Sequence, residues 1–84
     1  MEALDGNAIA GLMLEVFGVE MTTATGVCAT CGAAGRVAEL VVYLQAPGTV
    51  VRCRNCSSVL MVIVRARGFA CVDLRGLATL EPSA

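Results

Sequence analysis

The chain has 84 residues and a formal charge of −1, with six arginines, seven acidic residues, no lysine and no histidine. That length allows one small domain that buries only about 60% of its surface on folding, so a staple beyond the apolar core is expected. The charge balance argues against a basic nucleic-acid coat or an acidic disordered tail. Lack of histidine removes His-based nucleophile pairs and His-ligated metals.

At 57% hydrophobic and 15% charged, the chain is apolar for its size. A membrane span does not explain this, because the longest uninterrupted run, Val59 to Val64, falls far short of the roughly 20 residues a helix needs. The opening Met1-Glu2-Ala3-Leu4-Asp5 has no basic stretch of the kind that begins a secretory signal. The expectation is a cytoplasmic protein with reduced thiols, whose surplus apolar surface meets a partner.

In chain order, residues 4–18 read as an amphipathic helix. Asp5 is its N-cap, Leu4 and Ile9 form a hydrophobic staple, and Gly18 is the stop. Ile9, Leu12, Met13 and Val16 recur at i, i+3, i+4 and i+7, and Phe17 widens the stripe. This face packs on the sheet or serves as the partner-binding surface. Residues 26–75 read as the sheet of the domain, with Val19–Thr23 leading in to it. Its runs are Val37–Leu44, Thr49–Arg52, Val59–Arg67 and Ala70–Arg75, with a turn at Pro47-Gly48. The continuous run Val59–Val64 suggests a central strand covered on both faces. Residues 77–84 read as a fraying tail from which Leu77 and Leu80 can still dock.

Two C-x₂-C pairs carry the chemistry: Cys28-Ala29-Thr30-Cys31, followed by Gly32, and Cys53-Arg54-Asn55-Cys56. A tight turn with two residues between cysteines aims both sulfurs at one ion, and two such knuckles supply the four thiolates of a closed tetrahedral site. The 21 residues from Cys31 to Cys53 are about one hairpin, which returns the second knuckle to the first. A thioredoxin-like redox pair needs a single C-x-x-C in a βαβ setting that this pattern lacks. The expected cofactor is therefore one structural Zn²⁺, with iron left open because a rubredoxin-like site shares the geometry. With no ligand position free, catalysis at the metal is not expected. Four thiolates around Zn²⁺ would take the chain to about −3.

Cys71 lies outside both pairs and reads as a small buried hydrophobe in a strand, with an exchangeable ligand or redox-sensing thiol as the alternative. Arg52 and Arg54 flank Cys53, while Arg65 and Arg67 end the apolar run; together they form a possible phosphate-binding face. Charge is divided along the chain. Residues 1–24 hold Glu2, Asp5, Glu15 and Glu20 and no base, whereas all six arginines lie in residues 25–84. The division suggests complementarity between helix and sheet within one chain, or between copies.

Asp5-Gly6-Asn7-Ala8-Ile9-Ala10-Gly11, Val16 to Thr22, both knuckles, Ala46-Pro47-Gly48 and Val72 to Gly76 resemble a family of small actinobacterial proteins of unknown function. The all-arginine, Ala/Gly/Val-rich composition fits such a high-GC origin. The resemblance implies a cysteine-bound metal and no activity. More broadly, the knuckles resemble zinc ribbons, which serve in transcription, translation and assembly, so the fold is a poor guide to function.

The expected fold is a small α+β domain: a zinc ribbon, with an antiparallel sheet bearing two knuckles, plus one N-terminal amphipathic helix. The expected role is a non-catalytic protein-interaction or assembly module, a homo-oligomer or the binder of another protein, with no membrane and no small-molecule substrate. The alternative is a nucleic-acid- or ribosome-associated ribbon acting through its arginines. An enzyme would need Glu39, Asp73 and Cys71 to converge. A redox switch would release the metal on oxidation.

Overall fold

In the computed structural model, which describes residues 4–45 and 48–82, the chain is α+β with two antiparallel sheets. Strand β1 (Leu4–Asp5) leads through a 3₁₀ turn (Gly6–Ile9) into helix α1 (Ala10–Phe17). Strands β2 (Thr25–Cys28) and β3 (Ala34–Arg36) follow, then a second 3₁₀ turn (Val37–Glu39). After it come β4 (Val41–Gln45), β5 (Gly48–Arg52), β6 (Val59–Ala66), β7 (Phe69–Asp73) and β8 (Leu77–Glu81). The larger sheet has the order β1-β4-β5-β6-β7 and the smaller one β3-β2-β8. Ala46 and Pro47 of the expected turn lie outside the described residues, as do the last two residues of the expected tail.

The helix is shorter than its sequence suggests. Asp5 does cap, its carboxylate accepting from the Asn7 N–H at 3.0 Å, but it caps the 3₁₀ turn. Leu4 pairs with Val42 at the sheet edge instead of starting the helix. The stop holds: Gly18 is left-handed at φ 75°, and its N–H reaches the Leu14 carbonyl at 2.8 Å.

Alternation along the strands builds the core. Val42, Val51 and Met61 stand opposite one another in register, as do Thr49 and Ile63, and all five are buried. Ile9 and Met13 complete this core, and Leu12, Val16 and Phe17 pack against it. From the expected helix face, Ile9 and Met13 are thus buried in the chain's own core and not available to a partner, while Leu12, Val16 and Phe17 are only partly covered. Burying a side chain such as Met13 is worth roughly 1.5–3 kcal/mol, which is why this face turns inward.

Two further expectations are corrected. Val37–Leu44 is not one strand, because Val37–Glu39 turns as 3₁₀ and places Val37 in the core. Leu77–Glu81 is not a frayed tail but strand β8, paired with β2 from Thr25↔Glu81 to Cys28↔Leu77. Sheet structure consequently runs from Leu4 to Glu81 rather than over 26–75. The Val59–Val64 run is covered on both faces only in part: Leu60, Met61 and Ile63 are buried, while Val59 and Val64 are exposed.

Candidate metal centre

Each knuckle begins where a strand of a different sheet ends. β2 runs into Cys28 and the turn to Cys31; β5 runs into Cys53 and the turn to Cys56. The two turns repeat one hydrogen-bond pattern. In the first, the Gly32 N–H bonds the Cys28 carbonyl at 2.9 Å and the Cys28 N–H bonds the Ala33 carbonyl at 2.9 Å. In the second, the Ser57 N–H bonds the Cys53 carbonyl at 2.9 Å and the Cys53 N–H bonds the Ser58 carbonyl at 2.8 Å. Both turns require a left-handed residue at the fifth position, Gly32 at φ 75° and Ser57 at φ 64°. The glycine is evident in the sequence, whereas Ser57 gives no such signal.

The four sulfurs lie within 4.8 Å of one another. Cys28 Sγ and Cys56 Sγ are 3.6 Å apart, and Cys31 Sγ and Cys53 Sγ are 3.7 Å apart. A regular tetrahedron of sulfurs at the usual zinc–thiolate distance has an edge of about 3.8 Å, so the donor set fits one thiophilic ion. All five cysteines are free thiols. Cys28 and Cys53 are buried, Cys56 is half-buried and Cys31 is exposed, so the cluster opens to solvent on one side. Cys28, Cys31, Cys53 and Cys56 are placed together as a group able to hold a metal ion.

Side chains outside the C-x₂-C pattern support the sulfurs. The Asn55 carboxamide donates to Cys31 Sγ at 3.5 Å and its backbone N–H to Cys53 Sγ at 3.4 Å. The Asn55 carboxamide, with the Ala33 backbone N–H, lowers the Cys31 thiol to about 6. The Cys56 thiol donates to Ser58 Oγ at 3.2 Å, and contact with Ser58 also lowers its pKa. Ser58 can reverse this bond and donate once the sulfur is a thiolate. Beside the buried cysteines lies a cleft of about 390 Å³ lined in part by Glu39, Leu40, Arg54, Asn55 and Leu60. Leu60 is the extra residue where the β5–β6 register shifts.

The four arginines do not form one face. Arg52 donates to the Ser57 carbonyl at 2.9 Å, bracing the second knuckle, and lies 6.0 Å from the centroid of the Tyr43 ring. Arg54 is exposed in the knuckle turn. Arg65 stands six residues along β6 from Val59, the partner of Arg52, which is about 20 Å. There it makes a two-pronged ion pair with Glu15 of α1, at 2.7 and 3.0 Å. The charge division of the sequence is thus met, at this pair, within the chain. Arg67 sits in the turn after β6.

Cys71 is exposed, not buried as expected, because β7 is an edge strand of the larger sheet whose residues Phe69 to Val72 are all exposed. Glu39, Asp73 and Cys71 do not converge. Glu39 precedes β4, which is three strands, or about 14 Å, across the sheet from β7. No helix among the described residues is long and apolar enough to cross a membrane.

No curated protein and no solved structure matches the chain. A sequence family matches over residues 1–84, the region that holds both knuckles and every strand described above, and the chain therefore belongs to the family of unknown function DUF6510.

Proposed function

We propose that this protein is a non-catalytic module in which Cys28, Cys31, Cys53 and Cys56 hold one structural zinc ion, and that it acts through protein–protein contact. The observation that carries this reading is the sulfur tetrad, with edges of 3.6 and 3.7 Å built from two sheets. An ion there ties β2 to β5, so its binding energy becomes folding energy. The domain is small enough to need such a tie. Every ligand position is a thiolate, which favours saturation over a water-bearing catalytic site. The apolar outer residues Val59, Val64, Phe69 and Val72 supply the surface for contact.

The test is native electrospray mass with elemental analysis, followed by circular dichroism during chelation. One zinc per chain and loss of structure on chelation are expected, and Cys53→Ser should lose the metal while Cys71→Ser keeps it. Stoichiometric iron would replace the zinc assignment, and a folded chain that binds no metal would overturn the reading.

A further inference from the structure

Two sulfur contacts of the tetrad cross between the knuckles, Cys28 with Cys56 at 3.6 Å and Cys31 with Cys53 at 3.7 Å. Each joins a buried cysteine, Cys28 or Cys53, to a more open cysteine of the other knuckle, Cys56 or Cys31. A sulfur that solvent reaches, set beside one that it does not, suits oxidation that stops at a disulfide. The open sulfur meets the oxidant, and the buried one resolves the product before a second oxidant molecule arrives.

The Cys31–Cys53 contact is the more open of the two and the better braced. Cys31 is exposed, whereas Cys56 is half-buried and engaged by Ser58 Oγ at 3.2 Å. Asn55 touches both sulfurs of the open contact, its carboxamide donating to Cys31 Sγ at 3.5 Å and its backbone N–H to Cys53 Sγ at 3.4 Å. The two sulfurs are near enough for side-chain rotation to bring them into bonding range.

These cysteines also belong to different sheets. Cys31 follows β2 of the smaller sheet, and Cys53 follows β5 of the larger one. A bond between them would tie β2 to β5 as the ion does, and would restrain the unfolded chain by closing a loop between positions 22 apart. A bond within one knuckle, Cys28–Cys31 or Cys53–Cys56, closes only its own turn and leaves the sheets untied.

We propose that Cys31 and Cys53 form a peroxide-oxidation site, and that the disulfide made there replaces the ion as the tie between the two sheets. The Cys31 thiolate attacks one oxygen of hydrogen peroxide; an S–O bond forms, the O–O bond breaks and hydroxide leaves, giving a sulfenic acid. The Cys53 thiolate then attacks that sulfur; the S–S bond forms, the S–O bond breaks and a second hydroxide leaves. Two solvent protons turn the two hydroxides into water, and the two electrons lost by the sulfurs reduce the peroxide. With two of its four thiolates consumed, the tetrahedral set is broken and the ion is released. The proposal rests on the structural-metal reading above, and adds how that site is regulated.

Hydrogen peroxide added to the zinc-loaded protein tests it. Zinc release is followed with a chromophoric chelator, structure by circular dichroism, and the disulfide by tryptic mapping with mass spectrometry. Trypsin cuts after Arg52 and Arg54 and so separates Cys53 from Cys56. One zinc should be released per disulfide, with the Cys53-Arg54 dipeptide attached at Cys31 to the peptide that ends at Arg36. The β-sheet signal should persist after oxidation, whereas chelation of the reduced protein abolishes it. Cys71→Ser should give the same result. Zinc retained under peroxide, a bond within either knuckle or between Cys28 and Cys56, sulfinic acid at Cys31, or lost structure with the Cys31–Cys53 bond in place would overturn the proposal. So would a release that disappears in Cys71→Ser. The two readings fail separately. A chain isolated without metal overturns the zinc assignment alone, because the same mapping still decides the disulfide; a zinc-loaded chain that resists peroxide overturns the oxidation site alone.

Discussion

Gly76 lies so close to Val59 that a Cβ on it would fall 1.9 Å from the Val59 carbonyl oxygen and 2.5 Å from the Leu60 Cα. Its own carbonyl accepts from the Ala29 N–H at 3.0 Å. Gly76 therefore bridges the turn of the first knuckle and the strand that follows the second, and keeps the two sheets at the spacing the sulfurs require. The atoms it meets belong to backbone and cannot swing aside. Gly76→Ala should destabilise the fold by about 2–4 kcal/mol and weaken metal binding as well, measured by denaturant unfolding with and without added zinc. An unchanged midpoint would contradict this bridging role.

Ser57 occupies the left-handed position that Gly32 fills in the other knuckle. A side chain there costs about 1–2 kcal/mol, partly offset by the lower entropy of serine in the unfolded chain. Ser57→Gly keeps the carbonyl that Arg52 uses and should stabilise the protein by somewhat under about 1 kcal/mol. The reverse exchange, Gly32→Ala, should destabilise it. Thermal unfolding of the two variants should move in opposite directions.

Asn55 is the only side chain from between the paired cysteines with a hydrogen bond to a sulfur among the described residues. Supports of this kind typically contribute about 10–100-fold to metal affinity. Asn55→Ala should lower affinity by about tenfold or more in competition with a chromophoric chelator, with the one-metal stoichiometry intact. Asn55→Asp should also weaken binding, because a carboxylate cannot donate to a thiolate.

Asp73 and Arg75 form a local ion pair of 2.7 Å, and hydrogen bonds from Arg75 hold the Asp73 carboxyl at about 2. A depressed folded value means that the pair's contribution is complete above the ordinary aspartate range and is lost as pH falls toward 2. Carbon-detected NMR should give Asp73 a midpoint near that value, and Arg75→Ala should raise it toward the ordinary 3.8. Both groups are exposed, so the titration rather than global unfolding is the informative measurement.

What could be read from the residues alone was local. The knuckles depend on bonds that span four or five positions, such as Gly32 to Cys28, and the C-x₂-C spacing announces them. Asp5 as a cap and Gly18 as a stop are equally short-range; Gly18 ends the helix as expected, while Asp5 caps the 3₁₀ turn that precedes it. Asn55 and Ser58 could have been found in the same way, as polar residues inside or just after a knuckle.

Tertiary structure decided everything that depends on which surface meets which. The apolar count of the sequence is blind to what covers each residue, so Met13 reads as a partner contact until the sheet is seen beneath it. Cys71 reads as buried until β7 is found at an edge, and Leu77–Glu81 as a tail until β2 is found to pair with it. The four arginines look like one cluster because they are close along the chain, yet two lie beside the knuckle and two at the far end of the β6 strand. Strand pairing joins segments separated by fifty residues, and its outcome rests on long-range register and competition for burial that no local pattern encodes.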